Sequence, residues 1–139
     1  SNEISAIESF LENELQSLFT ACLTHEPVSL IGSSGTFDTL SDIFTQANDQ
    51  PRETGATEYP LTTQGFLDIH DQLVSKVRAE RVAISGMIEM RVEMIVVASV
   101  LINFLIKRLG LNSLRVSAYA LKEGVMLHHI KANKELLTG

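Results

Sequence analysis

The strongest chemical pattern in the chain is Gly32-Ser33-Ser34-Gly35-Thr36. It follows an apolar run, Val28 to Ile31, and precedes Phe37, Leu40, Ile43 and Phe44 at helical spacing. Glycines let a turn adopt backbone conformations that other residues resist. Successive N–H groups can then point into one concavity. The helix that follows adds unpaired N–H groups and partial positive charge. Such a turn favours an anion such as phosphate, and Ser33, Ser34 and Thr36 supply hydroxyl donors. The same residues also read as a plain tight turn with Thr36 as the helix N-cap. No lysine follows Gly35, so this is not a Walker A loop.

A second group is Arg91 and Glu93 at the start of a long apolar stretch. Charges there are usually solvated, and Glu93 suits the positive end of a helix dipole. Glu89 and Glu93 are four residues apart and could share a cation. A third group, Ala120-Leu121-Lys122-Glu123-Gly124, reads as a helix start. His128 and His129 point about 100° apart on a helix, so they do not share a metal. His25 and His70 have no ligand-like spacing around them. No GxSxG, HExxH or CxxC pattern occurs. The single cysteine, Cys22, shares an apolar helical face with Leu15, Leu18 and Phe19 and reads as a core residue.

The elements that must hold these groups follow from the spacing of apolar residues. One amphipathic helix is expected from Glu3 to His25, ending before Pro27. A strand over Val28–Ile31 leads through the glycine turn into a helix. Residues 46–60 are polar, contain Pro51 and Gly55, and read as a surface loop. Thr62 or Thr63 caps the next helix, which carries Phe66, Leu67, Ile69 and Leu73. A short segment from Arg78 to Ile84 ends at Ser85-Gly86. A central helix is expected over Glu89–Leu109, buried on most sides and stopped by Gly110. Leu114–Ala118 reads as a second strand and Lys122–Leu137 as a closing helix. Two strands that each feed a helix predict parallel pairing in an α/β layer, a sheet that is small on its own.

The 139 residues allow one domain, assigned to 3–139, with Ser1-Asn2 set aside as an expression scar. The composition, 45% hydrophobic and 20% charged, suits a folded core. A formal net charge of -6 argues against nucleic acid as a partner. A lone cysteine excludes an intrachain disulfide and points to a reducing, cytoplasmic setting. The most apolar run, Met94–Ile106, is shorter than a membrane span, is interrupted by Ser99 and Asn103, and is flanked by charges.

Three stretches, taken in order, resemble the exopolyphosphatase/guanosine-pentaphosphatase family. PVSLIGSSGTFDTLSDI is similar to its apolar strand, G-x-x-G-T and helix. ISGMIEMRVEMIVVASVLINFLIKRLGL resembles its glycine, then Arg-Ala-Asp, then a long apolar helix, with Arg91 at the arginine and Glu93 at the acid. LRVSAYALKEGV resembles its strand ending in T-V-S-D-x-G-L-R-E-G. Ala118 stands for that aspartate, Ala120 for a glycine and Lys122 for an arginine, which puts substrate binding at that loop in doubt.

The resemblance implies part of an actin-like, ribonuclease H-like α/β domain, rich in helix, with about two parallel strands and five to six helices. It implies a C-terminal fragment of a hydrolase of polyphosphate or guanosine pentaphosphate, forming one wall of the phosphate cleft and inactive alone. Gly32, Ser33, Ser34, Gly35 and Thr36 would bind phosphate, and Arg91, Glu93, Lys122, Glu123 and Gly124 would line the cleft. No catalytic residue and no metal ligand is expected here. Magnesium or another divalent metal belongs to the parent enzyme. The upstream D-x-G-S and G-G-G-S loops and the water-activating glutamate of the family do not occur in these residues. The partners implied are polyphosphate or another phosphate-rich small molecule and an N-terminal domain of the same chain; no membrane is expected. The rival reading is a diverged module that senses a phosphorylated ligand without hydrolysing it. The resemblance also leaves one edge of the Val28–Ile31 strand unpaired. Either a homodimer or the first helix would then cover it.

Overall fold

A computed structural model describes residues 2–137. The N-terminal amphipathic segment forms α1 (Asn2–Glu14) and α2 (Gln16–His25), rather than one helix. Leu15, at φ -98° and ψ 17°, marks the bend. The bonds Leu15 N–H to Leu11 C=O and Phe19 N–H to Leu15 C=O bridge it. Phe19 is the one buried side chain of the pair, while Phe10 and Leu18 stay exposed. Phe19 packs on Phe104, and Arg108 lies over the Phe19 ring and pairs with Glu12 at 3.0 Å. The N-terminal segment therefore rests on the central helix instead of crossing the sheet. Cys22 is half-buried, so it is not part of the core.

Strand β1 runs over Ser29–Ser33 and enters α3 (Gly35–Asn48) through Ser34. The strand is displaced toward the glycine turn relative to its apolar run, so Gly32 and Ser33 belong to it. Residues 49–57 and β2 (Glu58–Tyr59) follow. The expected loop over 46–60 is thus shorter at both ends. Its anchor is Arg52, which pairs with Asp42 at 3.0 Å, donates to the Asp38 carbonyl at 2.6 Å and stacks over Tyr59.

Helix α4 (Thr63–Ser75) starts where threonine spacing places it: the Thr62 hydroxyl accepts the Gly65 N–H at 2.9 Å. Helix α5 (Arg78–Val82) and a single 3-10 turn, Glu89–Arg91, precede α6 (Met94–Leu109). The expected central helix is therefore shorter at its start, and Arg91 and Glu93 lie before it. Its buried stripe is Ile95, Ser99, Val100, Ile102, Asn103 and Ile106; Met94 and Val97 are exposed, so less of its circumference is covered than the composition implies. Gly110, at φ +62°, closes it. Strand β3 (Ser113–Ser117) and α7 (Leu121–Leu137) complete the chain.

The sheet order is β1-β3-β2, with β1 parallel to β3 and β2 antiparallel to it. The parallel pair is as expected; the third strand adds an antiparallel edge. Among the described residues there are seven α-helices, against the five to six expected. Leu30 and Gly32 of β1, Leu114 and Val116 of β3 and Tyr59 of β2 face the helices. The core beneath them is Leu40, Ile43, Phe66, Ile69, Leu73, Ile95, Ile102 and Ile106. The other face carries Ile31, Arg115 and Glu58, and stays open to solvent, with an Arg115–Glu58 ion pair across it.

Candidate phosphate-facing site

The parallel register brings Ser33 level with Ser117. The glycine turn after β1 and residues 118–124 after β3 therefore leave the sheet at the same end. In α/β layers this is the end where ligands collect, because helix N-termini and loops converge there.

The turn itself is built on two unusual backbone positions. Ser34 has φ +60° and Gly35 has φ +45°. Helix α3 begins at Gly35 with no side-chain cap, so Thr36 is not its N-cap and the plain capping reading is corrected. The first α3 amides to find partners are those of Phe37 and Asp38, both directed to the Ser34 carbonyl. The N–H groups of Gly35 and Thr36 have no hydrogen-bond acceptor within the described residues. Gly32 has a separate reason to be glycine: a Cβ there would enter the Phe37 ring.

Arg91 completes the arrangement. Its guanidinium Nη1 lies 3.2 Å from the position a Cβ would take on Gly35. The side chain is half-buried and, among the described residues, makes no ion pair. Free amides, a helix N-terminus and an uncompensated guanidinium thus meet at one place. Each favours an anion, and the guanidinium fits phosphate oxygens in a bidentate manner.

The other predicted positions separate. Glu93 turns away from the turn and pairs with Arg78 at 3.1 Å and Arg81 at 4.0 Å. Glu89 approaches the same Arg78 at 3.7 Å, so both glutamates are paired with arginine. Glu123 accepts the Ala120 N–H at 2.8 Å and pairs with Lys122 at 3.4 Å, which holds its carboxyl below the usual range. It caps α7. Lys122 and Gly124 are exposed. Sequence reasoning placed Arg91 in the cleft only through the motif resemblance; its reach to Gly35 depends on the bend from Ser85-Gly86 into the 3-10 turn, which spacing does not reveal.

No three His, Cys, Asp or Glu side chains among the described residues lie close enough to hold a metal ion. Glu89, Glu93 and Glu123 are engaged by arginine, lysine or a helix amide. No helix among the described residues is long and apolar enough to cross a membrane. A hollow of about 450 Å³ lies at the far end of the sheet, between Phe19, Cys22, Val28 and Arg108, away from the turn.

The pattern of the Ppx/GppA phosphatase family matches residues 1–133. The chain belongs to the Ppx/GppA phosphatase family. An exopolyphosphatase from Cytophaga hutchinsonii is 37% identical and superimposes with a TM-score of 0.87, covering 95% of this chain and 43% of that one. The Aquifex aeolicus Ppx/GppA family member is 21% identical with a TM-score of 0.74, over 95% of this chain and 42% of its own. A type II variant of the Aquifex aeolicus Ppx/GppA phosphatase is 22% identical, with a TM-score of 0.72. No curated protein sequence matches. The helix-rich, actin-like α/β architecture is thereby established, and the chain spans less than half the length of these Ppx/GppA structures.

Proposed function

We propose that this chain forms one wall of a phosphate-binding cleft in a Ppx/GppA-type hydrolase of polyphosphate or guanosine pentaphosphate. The observation that carries the reading is the Arg91 guanidinium set against Gly35, beside the free amides of Gly35 and Thr36. Family membership supports phosphoanhydride chemistry, and one relative is named as an exopolyphosphatase. Phosphoryl transfer depends on positioning and on neutralising charge, which is what amides and arginine supply. Ser33, Ser34 and Thr36 would add hydroxyl donors, and Lys122 a mobile cation. A divalent metal would be held by the substrate's phosphates and by residues other than these. The opposing wall would come from a further domain, and the cytoplasm is the setting that fits such substrates.

On this reading the 139-residue chain alone does not turn over substrate. Phosphate release from polyphosphate and from guanosine pentaphosphate, measured with magnesium against a no-protein blank, tests it. No release is expected; turnover by the purified chain would contradict it. The second reading, a sensing module, is favoured by Ala118, which leaves no carboxylate where the family pattern has aspartate. Ligand binding without turnover in the longer protein would establish that alternative.

A further inference from the structure

One short segment of chain touches α3 closely at two points. At the helix N-terminus, the Arg91 guanidinium lies 3.2 Å from the Cβ position of Gly35. Further along, Gly86 meets the helix backbone itself. A Cβ there would stand 2.7 Å from the carbonyl carbon and oxygen of Asp42 and from the Ile43 nitrogen. Gly86 also has φ +86°, so the position excludes a side chain on both counts. From Gly35 to Asp42 the helix rises by about 10 Å. The chain from Gly86 to Arg91 leads from the Asp42 level of α3 to its N-terminus, which the Arg91 side chain reaches.

The helix does not yield at this contact. Thr39, Leu40, Ser41 and Ile43 are buried. Ser41 Oγ donates to the Pro60 carbonyl at 2.9 Å, and the Asp42 carbonyl already accepts the Thr45 hydroxyl at 3.0 Å. On the other side, Ile84 and Met87 pack on the core, and Val92 and Ile95 are buried. Between them the backbone is closed into tight turns, Met87 N–H to Ile84 C=O at 3.0 Å and Arg91 N–H to Ile88 C=O at 2.8 Å. Arg91 makes no ion pair among the described residues. Its guanidinium is therefore placed by the path of the backbone.

We propose that Gly86 is a positioning residue of the anion site: its close approach to the α3 backbone at Asp42 sets the Arg91 guanidinium against Gly35. The inference rests on the proposed reading of that corner as a phosphate site. Gly86 touches no ligand and acts through Arg91 alone. A methyl group at residue 86 would lie far inside van der Waals contact with a buried helix. The segment from 86 to 91 must then move outward by roughly 1 Å, a misplacement large enough to disable a positioned group. The expected loss of anion affinity is about tenfold, the lower end of what removing a charge-assisted donor costs.

Titration of the 139-residue chain with tripolyphosphate, as Gly86→Ala, Arg91→Ala and the double variant, reads the coupling. Each is titrated where circular dichroism shows it folded. Gly86→Ala should weaken binding about tenfold. On top of Arg91→Ala it should weaken binding no further, because the group it places is gone. Gly86→Asn separates strain from collision: asparagine tolerates positive φ but carries the same Cβ. It should fold at least as well as Gly86→Ala and bind as weakly. Unaltered binding by a folded Gly86→Asn variant would overturn the proposal, as would an equal loss on Gly86→Ala with and without Arg91. The Gly35 amide resonance without anion is an independent readout. Gly86→Ala should shift it when Arg91 is present and leave it in place when residue 91 is alanine. If tripolyphosphate does not bind the unaltered chain, the phosphate reading fails, and this resonance alone decides the positioning role. If neither residue 86 variant folds, nuclear Overhauser contacts in the unaltered chain decide it. Contacts from the Gly86 α-protons to the Ile43 amide and from the Arg91 δ-protons to Gly35 are expected together; absence of either overturns the proposal.

Discussion

Arg91 and Gly35 are the residues on which the functional account rests, and they make different demands. Arg91 is half-buried without an ion pair, so Arg91→Ala should hardly change stability. Its loss should weaken binding of inorganic tripolyphosphate by about 1.5–3 kcal/mol, the range for a charge-assisted hydrogen bond, as read by titration calorimetry. Gly35 sits at φ +45° beside that guanidinium. Gly35→Val should cost about 1–2 kcal/mol of stability and should lower the activity of the longer enzyme by more than that strain explains. A folded Gly35→Val variant with full activity would make the turn purely structural. The glycines and their loop were readable from residue types. The arginine's place depended on family resemblance, because no local periodicity links residue 91 to residue 35.

A third residue prediction concerns His70, which no spacing singled out. It is buried between α4 and α6, with Nδ1 3.1 Å from the Ser99 hydroxyl and Nε2 3.1 Å from the Asn103 amide. Ser99 donates its proton to the Val96 carbonyl, so Nδ1 carries the ring proton and Nε2 accepts from Asn103. Burial pushes its pKa below the ordinary 6.5; Asp71 and Glu8 oppose this and Lys107 assists it. The unfolded chain then binds the proton more readily than the folded one. Stability is full above pH 6.5 and falls as pH drops through that value toward the folded pKa. Urea unfolding at neutral and mildly acidic pH should show the loss, and His70→Gln should flatten the pH dependence.

At the scale of elements, the start of α4 is the most direct test of how the fold was read. Thr62 was one of two threonines proposed as its cap, and its hydroxyl does accept the Gly65 N–H. Thr62→Ala should cost about 1 kcal/mol, measured by chemical denaturation, because α4 brings Phe66, Ile69 and Leu73 into the core. Strand–helix alternation was legible since β1 and β3 are apolar runs that lead straight into helices. β2 was not, since Glu58-Tyr59 is two residues held by pairing to Val116 and Ser117 and by the Arg52–Tyr59 contact. Such a strand has no pattern of its own. The bend at Leu15 was likewise hidden: the apolar spacing continues through it, and the packing of Phe19 on Phe104 is a tertiary contact.

At the scale of the whole molecule, the sheet of the described residues has one open face and one open edge. Its relatives share its fold across nearly all of its residues and are more than twice as long. α7 exposes Leu121, Val125, Met126, Leu127 and Ile130, an apolar surface. On the proposed reading, the anion-binding corner is formed within this chain. Backbone amide resonances of the 139-residue chain, followed as tripolyphosphate is added, test that claim most directly. The account predicts that Gly35 and Thr36 shift, saturably, and that Arg91→Ala abolishes the shift while the spectrum stays folded. Silence at those two amides while others move, or a response that Arg91→Ala leaves intact, would contradict it.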